Sequence, residues 1–178
     1  MTDTETSSPT PPADHPLAHL RFSPGLTPQF SEDELQEIAT AVGIPAALQS
    51  VLGSTGISPL AVKLGICFQE MTAEHMVATM PVAGNEQPVG LLHGGAHLAL
   101  AETLGSVAAK IHAGKERGVV GIEIGATHHR AVKDGLVIAT ATALSLGQTL
   151  TSHEIVMRDE QGRRLSTVRM TNMILLPR

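Results

Sequence analysis

The sequence predicts an α+β fold in which one long central helix is wrapped by a curved antiparallel sheet. The first observation is an apolar run over 94–109 whose large side chains do not fall on one stripe, so a helix there needs cover on most sides. The second is the order of the strand-like segments, because two precede this run and four follow it. One strongly curved antiparallel sheet can supply the cover.

The composition of the 178-residue chain narrows what it can bind. Hydrophobic residues make up 42% and aromatic residues 2%, which argues against stacking platforms for single-stranded nucleic acid. The net charge of −5 disfavours binding to phosphate backbones. Residues 1–109 carry 2 Lys or Arg against 11 Asp or Glu, whereas residues 110–178 carry 10 against 6. The C-terminal part can therefore hold a small polyanion.

The chain is expected in the cytoplasm, as a single domain behind an N-terminal tail. Residues 1–30 are rich in Ser, Thr, Pro and Asp and are expected to be disordered, without a secretory signal. The single Cys67 forbids an internal disulfide and fits a reducing compartment. No stretch of about 18 apolar residues suggests a membrane span. The domain is predicted over 31–178.

This domain begins with a helical segment over 31–53. Ser31 to Glu34 forms a capping-box pattern ahead of apolar residues at helical spacing. Gly43 ends that first helix, and a second short helix is expected over 45–52, ahead of Gly53.

The sheet is predicted from a change of periodicity after residue 64, where strand-like runs are separated by polar turns that often contain glycine. Two strands are expected before the long helix, over 64–71 and 75–82. Four are expected after it, over 119–130, 136–146, 150–158 and 164–175.

The long helix, over about 95–113, therefore sits between the second and third strands. This order is that of the hot-dog architecture. The strand after the helix is expected at the edge of the sheet, where unpaired backbone groups favour pairing with another chain. Two such edges meeting across a two-fold axis predict a dimer.

Glu102 is a carboxylate in the middle of the apolar helix. An ionised carboxylate buried without a partner is costly, so we expect it to face a ligand-sized gap. The neighbours on its face of the helix are mostly small: Leu98, Gly105, Ser106 and Ala109. Gly94 and Gly95 begin the helix, where free N–H groups and the positive dipole end can stabilise a negatively charged oxygen. The sequence thus places an acid and an anion site on one helix.

Four stretches of the sequence carry a family resemblance. They are 78–82, the Gln-Pro-x-Gly-x-x-His-Gly-Gly pattern with its downstream acid over 87–108, 119–130 with its His-His-Arg ending, and 171–175. Together they resemble the hot-dog acyl-CoA thioesterases of the phenylacetate-pathway and 4-hydroxybenzoyl-CoA groups. Within these groups the likeness is strongest to enzymes that hydrolyse 1,4-dihydroxy-2-naphthoyl-CoA in menaquinone synthesis. It is equally strong to the related thioesterases that proofread enterobactin synthesis. The resemblance covers about 48–178.

The resemblance implies hydrolysis of an acyl-CoA thioester without a cofactor. Glu102 would attack the carbonyl directly or activate a water, and the sequence leaves both open. Backbone amides of Gly94 and Gly95 would form the oxyanion hole. About 12 Å of helix separates Gly94 from Glu102. The implied site therefore takes the two groups from different subunits of a homodimer, alone or as a dimer of dimers.

The remaining site residues come from matched positions. Gln87 and His93 would surround the thioester, although a surface glutamine and a helix-entry histidine are the plainer interpretations. Ser106 would orient the carboxylate or hold a water, or else simply pack the helix. The CoA arm of the substrate is assigned to Arg130, His128, Gln148 and Thr149.

No metal site is expected, despite nine histidines. His93 and His97 are four residues apart, but no third ligand follows at a zinc spacing. His128 and His129 are adjacent in a strand and so point to opposite faces.

Two other functions fit parts of the pattern. A hot-dog hydratase or dehydratase would use His93 and Glu102 to move protons, whereas a non-catalytic acyl-CoA sensor would need a basic DNA-binding module. The Gln-Pro-x-Gly-x-x-His-Gly-Gly context favours hydrolysis. The preferred substrate is a hydroxyaryl-CoA such as 1,4-dihydroxy-2-naphthoyl-CoA. The alternative is a broad-range or proofreading thioesterase acting on medium-chain or carrier-protein-bound acyl groups.

Overall fold

The computed structural model of the chain describes residues 31–52 and 58–176. Its helices are α1 (Glu32–Ala41), α2 (Ala46–Leu52), α3 (Pro59–Lys63) and α4 (Gly94–Ala113). Its strands are β1 (Cys67–Met71), β2 (His75–Pro81), β3 (Val119–His128), β4 (Leu136–Leu146), β5 (Leu150–Arg158) and β6 (Arg164–Ile174). These bounds confirm the predicted elements to within a few residues. The predicted tail over 1–30 and the stop at Gly53 lie outside the described residues.

The six strands form one antiparallel sheet in the order β1-β2-β4-β5-β6-β3. The sheet packs against α4, and the architecture is the predicted hot-dog fold. The strand that follows the long helix, β3, lies at one edge and pairs with β6. This confirms the edge position predicted for it.

The short helices contribute buried residues to the core. Ser31 caps α1 by accepting the Glu34 N–H, while the Glu34 carboxylate accepts the Ser31 N–H at 2.8 Å, which confirms the capping box. Helix α3 was not predicted, because five residues are too few to show a helical repeat. Its local signal is Ser58, which accepts the Ala61 N–H at 3.0 Å, followed by Pro59 in the first turn.

Helix α4 is covered on most sides, as its apolar run predicts. Nine of its 20 residues are buried, and only Gly95 and Glu102 are exposed. Gly105 lets the helix approach β6 closely, because a Cβ there would lie 2.7 Å from the sulfur of Met170. None of the described helices is both long and apolar enough to span a lipid bilayer.

Two glycines with the same φ angle allow the cost of backbone strain to be measured separately from the cost of steric crowding. Gly43 and Gly84 both have φ of +84°. A Cβ on Gly43 would collide with the backbone carbonyl of Phe68, whereas one on Gly84 would meet nothing within 4 Å. We expect Gly84→Ala to lower the free energy of unfolding by about 1 kcal/mol, from the left-handed conformation alone. Gly43→Ala should lower it by roughly 3 kcal/mol, since overpacking adds to the strain. Urea unfolding of both variants measures this, and equal losses would contradict the collision.

Candidate active site

Glu102 stands on the uncovered face of α4. The sequence predicts a buried carboxylate, and this is wrong for the single chain, in which Glu102 is exposed. The reason is the sheet order, because β3 ends the sheet and leaves this face of the helix without a further strand. Gly95 is the other exposed residue of α4, and a separation of seven residues places it on the same face two turns away.

A small polar cluster surrounds the Glu102 carboxylate. Gly121 on β3 lies beside three side chains, since a Cβ there would lie 3.0 Å from Met170 Cε, 3.7 Å from Glu102 Oε1 and 3.8 Å from Asn172 Oδ1. Asn172 is fully buried and accepts a hydrogen bond from Ser106 Oγ at 3.3 Å. The structure thus brings the predicted Glu102 and Ser106 together with Asn172 and Gly121, which the sequence analysis did not single out.

The start of α4 supplies backbone donors, as predicted, but the two glycine amides differ. His93 is the N-cap residue, and its Nδ1 accepts the Gly95 N–H at 2.8 Å. The Gly94 N–H has no acceptor within the described part of the chain. Gly94 is therefore the donor left for an oxyanion, while His93 acts as the helix-entry residue that the plainer interpretation described.

A cavity of about 300 Å³ opens beside this helix start. It brings together four residues assigned from the sequence: Gln87, Gly94, His128 and Arg130. Other wall residues are Leu91, Leu92, His97, His129, Ala131 and Val132. The cavity combines apolar walls with polar side chains and one cation, which suits an acyl or pantetheine group better than a metal ion.

Two histidines of this cavity share one hydroxyl group. Ser166 Oγ lies 2.8 Å from His128 Nδ1 and 3.2 Å from His97 Nδ1, and the two rings are 5.1 Å apart. A hydroxyl has one proton, so at most one of the two ring nitrogens accepts from Ser166. Burial, and then the charge of His128, lower the pKa of His97 to about 4. His97 is consequently neutral at physiological pH.

The two other residues assigned to the CoA arm lie elsewhere. Gln148 and Thr149 are in the β4–β5 loop, and the neighbouring Gly147 carbonyl accepts a hydrogen bond from His112 in the last turn of α4. They are thus at the opposite end of a 20-residue helix from Arg130, about 30 Å away along its axis. Their assignment remains a prediction that requires a second copy of the chain.

The inward face of β6 shows what the sequence analysis missed. Alternate residues of this strand point to α4, and most are apolar, but Ser166 and Asn172 are polar and fully buried. Buried polar side chains among apolar neighbours mark positions with specific hydrogen-bonding partners. The alternation of β6 could have identified both residues. Ser166 lies outside the stretches that carry the family resemblance, whereas Asn172 lies within the 171–175 stretch but was not singled out there.

The opposite, outward face of β3 and β6 holds a shallower hollow of about 630 Å³. Its lining includes Arg164 and Arg169, and the latter lies 3.9 Å from Glu123. His129 borders both hollows, but its Nε2 hydrogen-bonds Thr167 on this outward side at 2.9 Å, whereas His128 Nδ1 faces Ser166 on the inward side. This confirms that the two adjacent histidines point to opposite faces.

Comparison with known proteins identifies the family. Residues 89–166 match the model of the thioesterase superfamily. The proofreading thioesterase EntH of Cronobacter sakazakii is 46% identical over 125 residues, which cover 70% of this chain and 91% of that protein. The chain belongs to the thioesterase superfamily.

Solved structures agree with this thioesterase assignment. A thioesterase from Haemophilus influenzae is 31% identical, with a TM-score of 0.64 over 84% of this chain and 93% of that one. A mutant thioesterase from Pseudomonas aeruginosa is 34% identical, with a TM-score of 0.63 over 72% and 93%. The protein is therefore a hydrolase of thioesters. This favours hydrolysis over the hydratase and sensor alternatives.

The buried His97 makes the stability of this thioesterase depend on pH. The unfolded chain protonates this ring near pH 6.5 and the folded chain only near 4, so the unfolded state binds more protons between these values. The free energy of unfolding should therefore fall as the pH drops from about 6.5 to about 4, by up to about 3 kcal/mol from this group.

His97→Asn should flatten that dependence. Urea unfolding at a series of pH values from 7.5 to 4.5 compares the variant with the unmodified protein. Parallel curves for His97→Asn and the unmodified chain would show that His97 is not the titrating group.

Proposed function

We propose that this thioesterase hydrolyses an aromatic acyl-CoA, at a site shared by two copies of the chain. The preferred substrate is a hydroxyaryl-CoA such as 1,4-dihydroxy-2-naphthoyl-CoA in menaquinone synthesis in the cytoplasm. One observation carries the proposal: Gly95 and Glu102 are the two exposed residues of an otherwise covered helix, on one face. An exposed acid and a free amide at the helix start, taken from two copies of the chain, provide the two elements that acyl transfer requires.

The reaction needs a group that delivers the nucleophile and donors that stabilise the oxyanion. Glu102 fills the first role and the Gly94 N–H the second. A Cβ on Gly94 would lie 3.1 Å from His128 Nε2, which is tighter than an ordinary contact. Glycine at this position therefore leaves room for a substrate carbonyl to approach the Gly94 N–H. Gln87 lies in the same cavity, where its amide can contact the thioester.

A second copy of the chain supplies the other half of the site. Gly94 and Glu102 of one helix are about 12 Å apart, too far to act on one carbonyl. β3 offers a place for the second copy, because its outer edge is open and its exposed residues include Val120 at 43% and Ile122 at 50%. Exposed apolar residues on an open edge favour pairing with another β3, which gives a homodimer or a dimer of dimers.

The CoA arm is assigned to the cavity beside the helix start. Arg130 is exposed at its rim, and a guanidinium can bind a phosphate through two parallel hydrogen bonds. His128 lies between Arg130 and Gly94 in this wall, where it can contact the pantetheine. Gln148 and Thr149 would reach the CoA arm only from the other copy.

A proofreading role is the second candidate. It is favoured by the 46% identity to a protein named as a proofreading thioesterase. Such an enzyme would accept aryl and medium-chain acyl groups on carrier proteins as well as on CoA. Comparing kcat/KM for 1,4-dihydroxy-2-naphthoyl-CoA, 4-hydroxybenzoyl-CoA, octanoyl-CoA and an aryl-loaded carrier protein separates the two candidates. A preference for octanoyl-CoA or the carrier protein would overturn the menaquinone assignment.

Replacement of the catalytic acid tests the reaction itself. Glu102→Gln keeps the size of the side chain but removes its basicity, so kcat on 4-hydroxybenzoyl-CoA should fall by about 1,000-fold or more. Release of free CoA, followed with a thiol reagent, measures the loss. Glu154→Gln, at an exposed carboxylate on β5, is the matched control and should keep full activity. Equal turnover by both variants would remove Glu102 from the mechanism.

Replacement of Arg130 tests the CoA arm. Arg130→Ala should raise KM for an acyl-CoA about 10-fold with little change in kcat, because it removes binding and not chemistry. The same variant should act normally on the acyl-N-acetylcysteamine thioester, which lacks the phosphates. Arg158→Ala, at an exposed arginine on β5, is the control. An equal loss with both substrates would mean that Arg130 does not contact the nucleotide part of CoA.

A further inference from the structure

Asn172 on β6 makes specific hydrogen bonds that packing in the core does not require. Its side chain is fully buried and makes two hydrogen bonds with α4. Nδ2 donates to the Gly105 carbonyl at 3.2 Å, and Oδ1 accepts from Ser106 Oγ at 3.3 Å. Both partners lie within four residues of Glu102, so Asn172 ties the last strand to the part of the helix that carries the acid.

The two partners of Asn172 determine which of its side-chain atoms donates a hydrogen bond and which accepts one. A carbonyl oxygen can only accept, so the amide nitrogen of Asn172 must face Gly105. The reverse orientation would place two oxygens 3.2 Å apart. Oδ1 therefore faces Ser106, and the single proton of the Ser106 hydroxyl is used in that bond. Ser106 Oγ is left with acceptor capacity only.

We propose that Asn172 is a positioning residue, which holds the Ser106 hydroxyl as an acceptor for the water molecule that Glu102 activates. The inference rests on the proposed function of Glu102. Ser106 follows Glu102 by one helical turn, so their side chains are neighbours on one face. A Cβ built on Gly121 would lie within 4 Å of both Glu102 Oε1 and Asn172 Oδ1, so the carboxylate and the amide oxygen are neighbours beside β3, next to the Met170 methyl group.

A water between two acceptors donates one hydrogen to each of them. Its lone pairs then point away from Glu102 and Ser106, toward an acyl carbon in front of them. As the water oxygen bonds to that carbon, one proton passes to Glu102 and the carbonyl electrons move onto the oxygen. Collapse breaks the carbon–sulfur bond, and Glu102 returns the proton to the departing thiolate. The products are the free acid and CoA. This arrangement favours attack by water over direct attack by Glu102, because direct attack would need no acceptor at Ser106.

A double-mutant cycle tests whether Asn172 acts through Ser106. Ser106→Ala and Asn172→Ala should each lower kcat on 4-hydroxybenzoyl-CoA by on the order of 10- to 100-fold, with KM within twofold. The double variant should be no slower than Ser106→Ala alone. Full kcat in Asn172→Ala, or losses that multiply in the double variant, would overturn the proposal. Asn172→Leu, which keeps the number and branching of the side-chain heavy atoms but cannot form hydrogen bonds, repeats the cycle if the alanine variant does not fold.

Labelling of the unmodified enzyme needs no variant. In a single turnover in water enriched with oxygen-18, the acid released should carry one labelled oxygen. Unlabelled acid would mean that an oxygen of Glu102 was transferred, and that outcome would overturn the proposal. The proposed function fails separately, if the enzyme releases no CoA from any acyl-CoA or if Glu102→Gln is fully active. Asn172 variants with full kcat, beside an inactive Glu102→Gln, would reject only the role of Asn172.

Discussion

The structure depends on one constraint, which is that the apolar side chains of α4 must be covered on most sides. Its large apolar side chains point in several directions, and residues such as Leu100 and Leu104 are fully buried. A sheet can surround such a helix only by curving, and a six-stranded sheet that starts at β1 and ends at β3 leaves one face of the helix uncovered. Burial of the other faces stabilises the fold, and the uncovered face is the one available for chemistry.

Polar groups of the site follow from that geometry. Glu102 can keep a charged side chain in the middle of an apolar helix because it points to the uncovered face, where it costs little to solvate. The small residues around it, Gly105 and Gly121, allow the helix and both strands to approach within contact distance. Close packing thus brings a buried amide, a hydroxyl and a carboxylate to one place, and Glu102 forms no ion pair with any residue that the structure describes.

Much of the fold could be predicted from the sequence, because its signals are local. Alternating residues gave the strands to within a few positions, and the capping box at Ser31 marked the start of α1. Gly94 was assigned from its place at the helix start, and Gln87, His128 and Arg130 were assigned from the family resemblance. The cavity at the helix start does bring these four together. Five-residue α3 was missed, since it is too short for a periodic pattern.

What the sequence did not reveal depends on the register between distant strands. The exposure of Glu102 depends on which strand ends the sheet, and the hydrogen bond between Ser106 and Asn172 joins residues that are 66 positions apart. The sharing of Ser166 by two histidines also requires β3 and β6 to be aligned residue by residue. No spacing within a single segment contains this information.

The pairing of β3 with β6 also has a consequence for the synthesis of the protein. β3 leaves the ribosome before β4, β5 and β6, yet its partner is the last of these strands, and Gly121 pairs with Asn172. The nascent strand must wait for the end of the chain, since pairing across so long a loop is slow and comes late in folding. The small polar cluster around Glu102 is thus among the last parts of the molecule to form.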